Sequence, residues 1–304
     1  MKELLTESEI IRSWEGSVKK PLVSICCITY NHELYIEDAL IGFLSQKTNF
    51  SFEVLVHDDA SSDSTADIIR KYQMLYPSII KPIFQIENKY SKNIRINPAF
   101  NFPRAVGKYI ALCDGDDYWN DASKLQVQKD FLDNNLEYVI CYTDIIPFNN
   151  EGVLNTDFGG AHDDLSAVEL QKATSIYTLT AFFRNLINEW PPELYNVKYG
   201  DIALWSLLGD HGKGKYLPEV NPSMYRVHNQ SLHSSKNRLH QLEMRLQTLM
   251  SLYSLRLNRG QNKIAVLYLE EIISISNELL GVNHFKMVLK ALYAKLHNLF
   301  RISG

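Results

Sequence analysis

Between Pro21 and Thr143, short apolar runs rich in β-branched residues alternate with segments whose apolar residues recur at helical spacing. No other feature of the chain restricts its fold as strongly. The runs "LVSICCI" (22–28), "FEVLVHD" (52–58), "IIKPIFQ" (79–85), "KYIALC" (108–113) and "EYVICYT" (137–143) are expected strands. The stretches 32–46, 59–76 and 123–134 are expected helices, and Ser64 with Asp67 fits a capping box at the start of the second. Pro82 marks the third strand as irregular or at an edge, because it cannot donate to a ladder. Short apolar strands alternating with helices imply parallel βαβ units and a doubly wound sheet.

In that architecture ligands bind beyond the carboxyl ends of the strands. Three of those ends are polar: Thr29-Tyr30-Asn31, then Asp58-Asp59 with Ser61, Ser62 and Asp63, then Asp114-Gly115-Asp116-Asp117. All three are expected on one edge of the sheet. The last is the most demanding, with three carboxylates in four positions directly after a buried run. Such a cluster is costly without positive charge beside it.

The formal net charge of −4 argues against a nucleic-acid partner held by general phosphate neutralisation. An anionic ligand must therefore be held locally, by a metal or a few cationic groups. Hydrophobic residues at 45% and charged residues at 22% allow a sizeable soluble core. Cys26, Cys27, Cys113 and Cys141 all lie in apolar runs without C-x-x-C spacing, the pattern of reduced core thiols. The first residues lack the apolar core of a signal peptide, and no run is long enough to span a membrane. A cytoplasmic protein is expected.

After residue 144 the texture changes. An Asn-, Asp- and Gly-rich stretch reads as loop, "SAVELQKA" as a short helix, and "GDIALWSLLGDHG" (200–212) as a helix with a glycine stop. From about Lys236 the pattern is helical, interrupted at "NRGQN" and "GVNH". The expected organisation is an N-terminal extension (1–20), a main domain (21–233) and a helical C-terminal extension (234–304). The main domain divides into a nucleotide-binding half (21–143) and an acceptor half (144–233).

The ordered set "VSICCITYNHELYIEDAL", "VLVHDDASSDST", "GKYIALCDGDDYW", "GDIALWSLLGDHGKGKYLPEV" and "YRVH", from about residue 22 to 230, resembles glycosyltransferase family 2. That is a large family of inverting enzymes of the GT-A fold that use nucleotide-sugar donors. The resemblance implies a Rossmann-like mixed sheet flanked by helices. It also implies transfer of a sugar, UDP-linked by expectation, to a hydroxyl of a glycan or lipid-linked glycan. A divalent metal, Mn²⁺ or Mg²⁺, is the implied cofactor, since hard oxygen ligands suit both ions and the leaving diphosphate needs neutralising.

Carried over residue by residue, Asp114 and Asp116 match the family's D-x-D motif. Asp116 is the implied metal ligand, Asp114 faces the ribose and is a second candidate for the metal, and Asp117 is a candidate for either task. Gly115 fits a close backbone approach. Asp59 matches the acid that accepts the uracil N–H, whereas Asp63 and Ser64 are explained as caps. Thr29, Tyr30 and Asn31 match the segment that packs against the base. Asn101 and Arg104 fall where the family contacts base or phosphate, with Arg95 as a further cationic candidate. Asp201 matches the general base that takes the acceptor proton, against the plainer reading of a helix N-cap; Asp210 is the runner-up. Arg226 is the implied diphosphate contact and His228 an additional metal ligand, with Ser231 and His233 in a loop that closes over the diphosphate. His57, His162 and His211 lack metal-ligand spacing. Trp119 and most other aromatics read as core.

The basic, apolar-striped segment 284–303 fits either a peripheral contact with a membrane surface or packing on the main domain or a second subunit. Three rival functions share parts of this pattern, one of them a phosphohydrolase built on an acidic strand end, which would release phosphate rather than UDP and a glycoside. A sugar-phosphate nucleotidyltransferase should carry a Gly-rich loop after the first strand, and "CITYNHELY" has no glycine. A non-catalytic nucleotide-sugar-binding protein of the same fold would share the acids, and only an assay distinguishes it.

Overall fold

The structure, a computed structural model, describes residues 4–228 and 238–280. Ser231, His233 and the segment 284–303 lie outside them. The five expected strands form as β1 (Val23–Thr29), β2 (Phe52–Asp58), β3 (Ile80–Phe84), β4 (Tyr109–Leu112) and β5 (Tyr138–Tyr142). The helices among the described residues are α1 (Glu7–Arg12), α2 (Ile36–Leu44), α3 (Thr65–Leu75), α4 (Lys124–Asn134), α5 (Ala167–Gln171), α6 (Gly200–Leu208), α7 (Arg238–Asn258) and α8 (Asn262–Leu280). Five further short strands appear: β6 (Ile145–Asn149), β7 (Gly152–Val153), β8 (Phe182–Arg184), β9 (Lys213–Tyr216) and β10 (Ser223–Arg226).

The central sheet has the order β3-β2-β1-β4-β8-β5-β9. Its register aligns Thr29 with Asp58 and Cys26 with Leu112, so the three polar strand ends leave the sheet on one side. Pro82 stands on the edge strand β3, where a residue without an N–H is tolerated. The sheet is not wholly parallel, as strand-helix alternation alone implied. β8 runs antiparallel between β4 and β5, pairing Phe182 with both Ala111 and Cys141, which gives the mixed sheet that the resemblance implied. At three residues, β8 is too short to leave a period in the sequence.

Side chains of β1 alternate between two cores, as a pleated strand requires. Ile25 and Cys27 join Phe43, Phe52 and Trp119 on one face, and Cys26 joins Leu55, Phe183 and Trp205 on the other. All four cysteines are free and buried. α1 is held by a capping box of Thr6 and Glu9; Ile10 enters the first core, and Trp14 meets the Phe52 ring at 5.0 Å. The box expected at Ser64 does not form. Instead Asp63 accepts the Thr65 N–H at 3.0 Å, and the Ser64 N–H goes to Glu33.

α6 is buried on every side from Ile202 to Leu208, so it is fixed by packing all round. Gly209 after it keeps a right-handed helical conformation; a Cβ there would meet Gln171 N at 2.7 Å and Ala167 O at 2.8 Å, so it is glycine for contact with α5. α7 and α8 pack on each other, and α7 on α6, with the expected break marked by Gly260 at φ +68°. The stretch after 144, read as loop, instead begins the hairpin β6–β7, which pairs with β10 in a second sheet. A bridge from Tyr118 to Met224 ties that sheet to the acidic loop. No helix among the described residues is long and apolar enough to cross a membrane.

Candidate functional site

The loops that leave the parallel strands are locked to one another before any ligand enters. Asn31, just past β1, adopts φ +54°, a region Asn tolerates better than most residues. Its side-chain carbonyl accepts the Ser62 N–H at 2.8 Å, and its own N–H goes to Ser61 Oγ at 2.9 Å. Asp58 in turn holds the Ser61 hydroxyl. The next residue, His32, has its backbone N–H fixed by Thr65 Oγ1 at 2.8 Å. Thus the "TYN" and "DDASSDST" segments form one framework rather than two separate contacts.

Gly115 lies against that framework. Its N–H bonds to Ile28 O at 2.8 Å, and a Cβ there would sit 2.8 Å from Thr29 Cβ and Oγ1 and 2.9 Å from Ile36 Cδ1. The positive groups that the acidic loop demanded are present. Arg226 donates its backbone N–H to Asp117 at 2.7 Å and its Nε–H to the Asp116 carbonyl at 2.9 Å, and pairs with Asp38 at 2.7 Å. Its guanidinium also lies 4.6 Å from the ring centres of Tyr35 and Phe148. His228 Nε2 is 3.0 Å from Asp116 Oδ2, and His32 Nε2 is 3.9 Å from the same oxygen.

These surroundings separate the three carboxyls. Burial opposes the charge on Asp116, but the His228 hydrogen bond and the nearby His32 outweigh it and hold the group below its ordinary value. Burial, with Asp116 and Asp201 close by, pushes Asp114 up to about 7. Burial and Asp116 drive Asp117 well above the usual carboxylate range.

The loops border a cavity of about 1080 Å³. Thr29, Tyr30, Asn31, Asp59, Asp114, Asp116, Asp201 and Arg226, all picked out from the sequence, line it together with Arg95. The buried Asp59 carboxylate accepts the backbone N–H groups of Lys89 and Tyr90 at 2.8 and 2.9 Å, which folds the loop after β3 into the wall. Asp201 is the second residue of α6, in its first turn. The cap position belongs to Tyr199, which makes no side-chain cap bond, so Asp201 is not an N-cap.

Two expected ligand contacts are corrected. Asn101 is fully buried behind the wall, its amide bonded to Asn97 and to the carbonyl of Cys27 and its oxygen to Arg104. Arg104 spends its guanidinium on the carbonyls of Lys81 and Val56. Arg104 ties β2 to the edge strand β3, Asn101 reaches β1, and neither lines the cavity. Asp210, at the far end of α6, is engaged by the buried Arg256 and by Gln171, so it is a structural acid. Trp119 and Trp205 are core, while Trp190 lines the cavity. His57 is buried beside Asp59, and burial lowers it to about 4.

Residues the sequence did not single out complete the site. Tyr90, Ser91, Tyr199 and Tyr225 line the cavity, and α7 contributes Arg238, Gln241 and Arg245. His32 is the most informative of them, since His32, Asp116 and His228 offer ligand atoms all within 4.8 Å of one another. Its signal was its place one residue beyond a strand end that was already suspected. A divalent cation fits this group on two grounds: the imidazole and carboxylate donors suit such an ion, and their ligand atoms already stand close enough to converge on one.

Comparison with known proteins bears on the fold and the family. An uncharacterised protein of Mycobacterium bovis is 37% identical over 166 residues, covering 53% of this chain and 46% of the relative. The chain thus spans about half the length of that relative. The Escherichia coli UDP-Glc:alpha-D-GlcNAc-diphosphoundecaprenol beta-1,3-glucosyltransferase WfgD is 32% identical over 71% of this chain and 81% of its own length. Among solved structures, Staphylococcus aureus TarS 1-349 in complex with UDP-GlcNAc superposes with a TM-score of 0.60 at 20% identity, covering 87% of this chain and 75% of that one. The mannosyltransferase PcManGT of Pyrobaculum calidifontis, in complex with GDP-Man and Mn²⁺, gives 0.56 at 15% identity, covering 95% and 86%. The sequence profile described as Glycosyl transferase family 2 matches residues 24–186. With the acidic loop, the mixed sheet and this match in hand, the chain belongs to glycosyl transferase family 2.

Proposed function

We propose that the protein is an inverting glycosyltransferase. It moves a sugar from a UDP-sugar donor to a hydroxyl of a glycan acceptor, in assembly of a surface polysaccharide or lipid-linked oligosaccharide at the cytoplasmic face of a membrane. The observation that carries this reading is the meeting, in one cavity, of Asp59, the Asp114–Asp117 loop, Arg226 and the first-turn acid Asp201. WfgD, named for a UDP-glucose donor, and the UDP-GlcNAc complex of TarS support the nucleotide.

In this reading Asp59 accepts the ring N–H of the uracil, and the exposed Tyr30 offers its face to the base. Asp114 accepts from the ribose hydroxyls. Asp116 and His228 would hold a divalent cation, which when bound supplies positive charge against the leaving diphosphate. Arg226 adds a fixed guanidinium to the same side. Asp201 takes the proton of the acceptor hydroxyl as that oxygen forms its bond to the anomeric carbon; the bond from that carbon to the diphosphate oxygen breaks, and its electron pair leaves with UDP. Attack from the face opposite the leaving group inverts the anomeric configuration.

Asp201→Asn tests the assignment. It should retain UDP binding within a few-fold and lower transfer by about 10²–10⁴. Asp116→Asn should lose metal-dependent UDP binding in calorimetry. Near-normal transfer by Asp201→Asn would remove it as the base, and no UDP binding with or without Mn²⁺ would remove the donor assignment.

A further inference from the structure

The imidazole of His32 is placed in a way that packing alone does not explain. Its side chain is only 14% exposed, its Nδ1 is buried without a partner, and its Nε2 faces Asp116 Oδ2 at 3.9 Å, beyond hydrogen-bond reach. At that distance Nε2 and the carboxylate do not hydrogen-bond, and the gap between them is open to an ion that both could bind. The backbone delivers the ring there deliberately. Asn31 at φ +54° turns the chain out of β1, and Thr65 Oγ1 pins the His32 N–H, so the ring lands beside Asp116 and 6.1 Å from the His228 ring, edge to face.

We infer that His32 is a third protein ligand of the cation, and that this makes the site selective for a first-row transition dication over Mg²⁺. The inference rests on the donor-site reading above, in which Asp116 and His228 hold the ion. Bond lengths of about 2.1 Å place neighbouring donor atoms about 3–3.5 Å apart. His228 and Asp116 already stand at 3.0 Å, and His32 needs only a small approach from 3.9 Å. A set of two imidazoles and one carboxylate is soft for Mg²⁺, which prefers oxygen donors and gives up water reluctantly; imidazole nitrogen favours the later first-row ions.

The test is direct binding rather than turnover. The full chain, freed of metal by chelation, is titrated with Co²⁺ and followed by its visible d–d absorption, then challenged with excess Mg²⁺; UDP binding in the presence of Mn²⁺ is measured alongside by calorimetry. The wild-type protein should bind Co²⁺ and resist Mg²⁺. His32→Asn should bind Co²⁺ about tenfold or more weakly with an altered spectrum. His32→Glu, which keeps a ligand of similar reach but replaces nitrogen with oxygen, should retain Co²⁺ and allow Mg²⁺ to compete. A merely structural role would not produce that exchange of preference. His32→Asn with wild-type affinity and spectrum overturns the inference, as does a wild-type protein that takes no Co²⁺ or yields it readily to Mg²⁺. If those failures occur while UDP still binds, the donor reading stands without His32; if the cobalt results hold but UDP does not bind, the donor reading falls and His32 remains a ligand.

Discussion

Replacing Gly115 by alanine probes how tightly the acidic loop is set. The added carbon would lie 2.8 Å from Thr29 Cβ and Oγ1 and 2.9 Å from Ile36 Cδ1, where carbon contacts are comfortable only at about 3.5–4.0 Å. None of the neighbours has room to retreat. Thr29 is 1% exposed, Ile36 is fully buried, and the Gly115 N–H is tied to Ile28 O at 2.8 Å. Overpacking of this kind costs about 1–3 kcal/mol. The loop must lift by a fraction of an ångström, carrying Asp114 and Asp116 with it, and misplacement of about 1 Å at such a site costs on the order of 10²-fold. Urea unfolding should report the stability loss, and UDP titration with Mn²⁺ should report binding weakened by at least about tenfold on the same scale. Gly200→Ala is the comparison, since its added carbon meets only Arg95 Cδ at 3.7 Å, an ordinary contact, and alanine favours the helix by up to about 1 kcal/mol. Gly115→Ala within about 0.5 kcal/mol of wild type, with unchanged binding, would refute the claim that space dictates this glycine.

Lys124, 1% exposed, donates to Thr180 O at 3.1 Å, and burial pulls its pKa down to about 8 from 10.5. Between those values the unfolded chain binds more protons than the native one, so stability should rise with pH from about 8 to 10.5, by about 3 kcal/mol more than in Lys124→Met; parallel profiles for the two proteins would contradict this. Arg256→Ala should lose about 3–5 kcal/mol in denaturant unfolding, because it removes the buried guanidinium shared by Asp210 and the Ser206 carbonyl and leaves Asp210 only Gln171 and the more exposed Arg259; a loss below about 1 kcal/mol would mean that the pair adds little. Asp59→Asn leaves one acceptor oxygen for the N–H groups of Lys89 and Tyr90. Hydrogen exchange at those two amides should accelerate and UDP affinity should fall; unchanged exchange would show that the loop does not depend on the carboxylate.

The strands and helices before residue 143 were legible because the strands are continuous apolar runs set among segments of helical period, and Pro82 marked β3 as irregular or at an edge. β8 and the β6–β7 hairpin were not, since β7 and β8 have only two and three residues and β6 runs into an Asn-, Asp- and Gly-rich stretch. The acids of the site were legible from their crowding at strand ends. Asn101 and Arg104 fall in the stretch where the resemblance implies contact with base or phosphate, yet the π-helical turn Asn97–Asn101 and the short turn after it put both on the far side of the wall. His32 was overlooked for the opposite reason. A single histidine carries no spacing, and only the φ +54° turn at Asn31 brings it to Asp116.

The join between the acidic loop and β10 also sets a timetable for the newborn chain. Asp116 and His228 are 112 residues apart, and Arg226 reaches Asp117 across 109. At about 5–20 residues per second, the ribosome releases the carboxylates roughly 5–20 s before the groups that neutralise them. During that wait β1, β2 and β4 can pair, but the end of β4 cannot be sealed from water without burying uncompensated charge. The cavity can therefore close only after β10 has emerged, and a chain stalled before it would carry most of the sheet with the acidic loop still open to water.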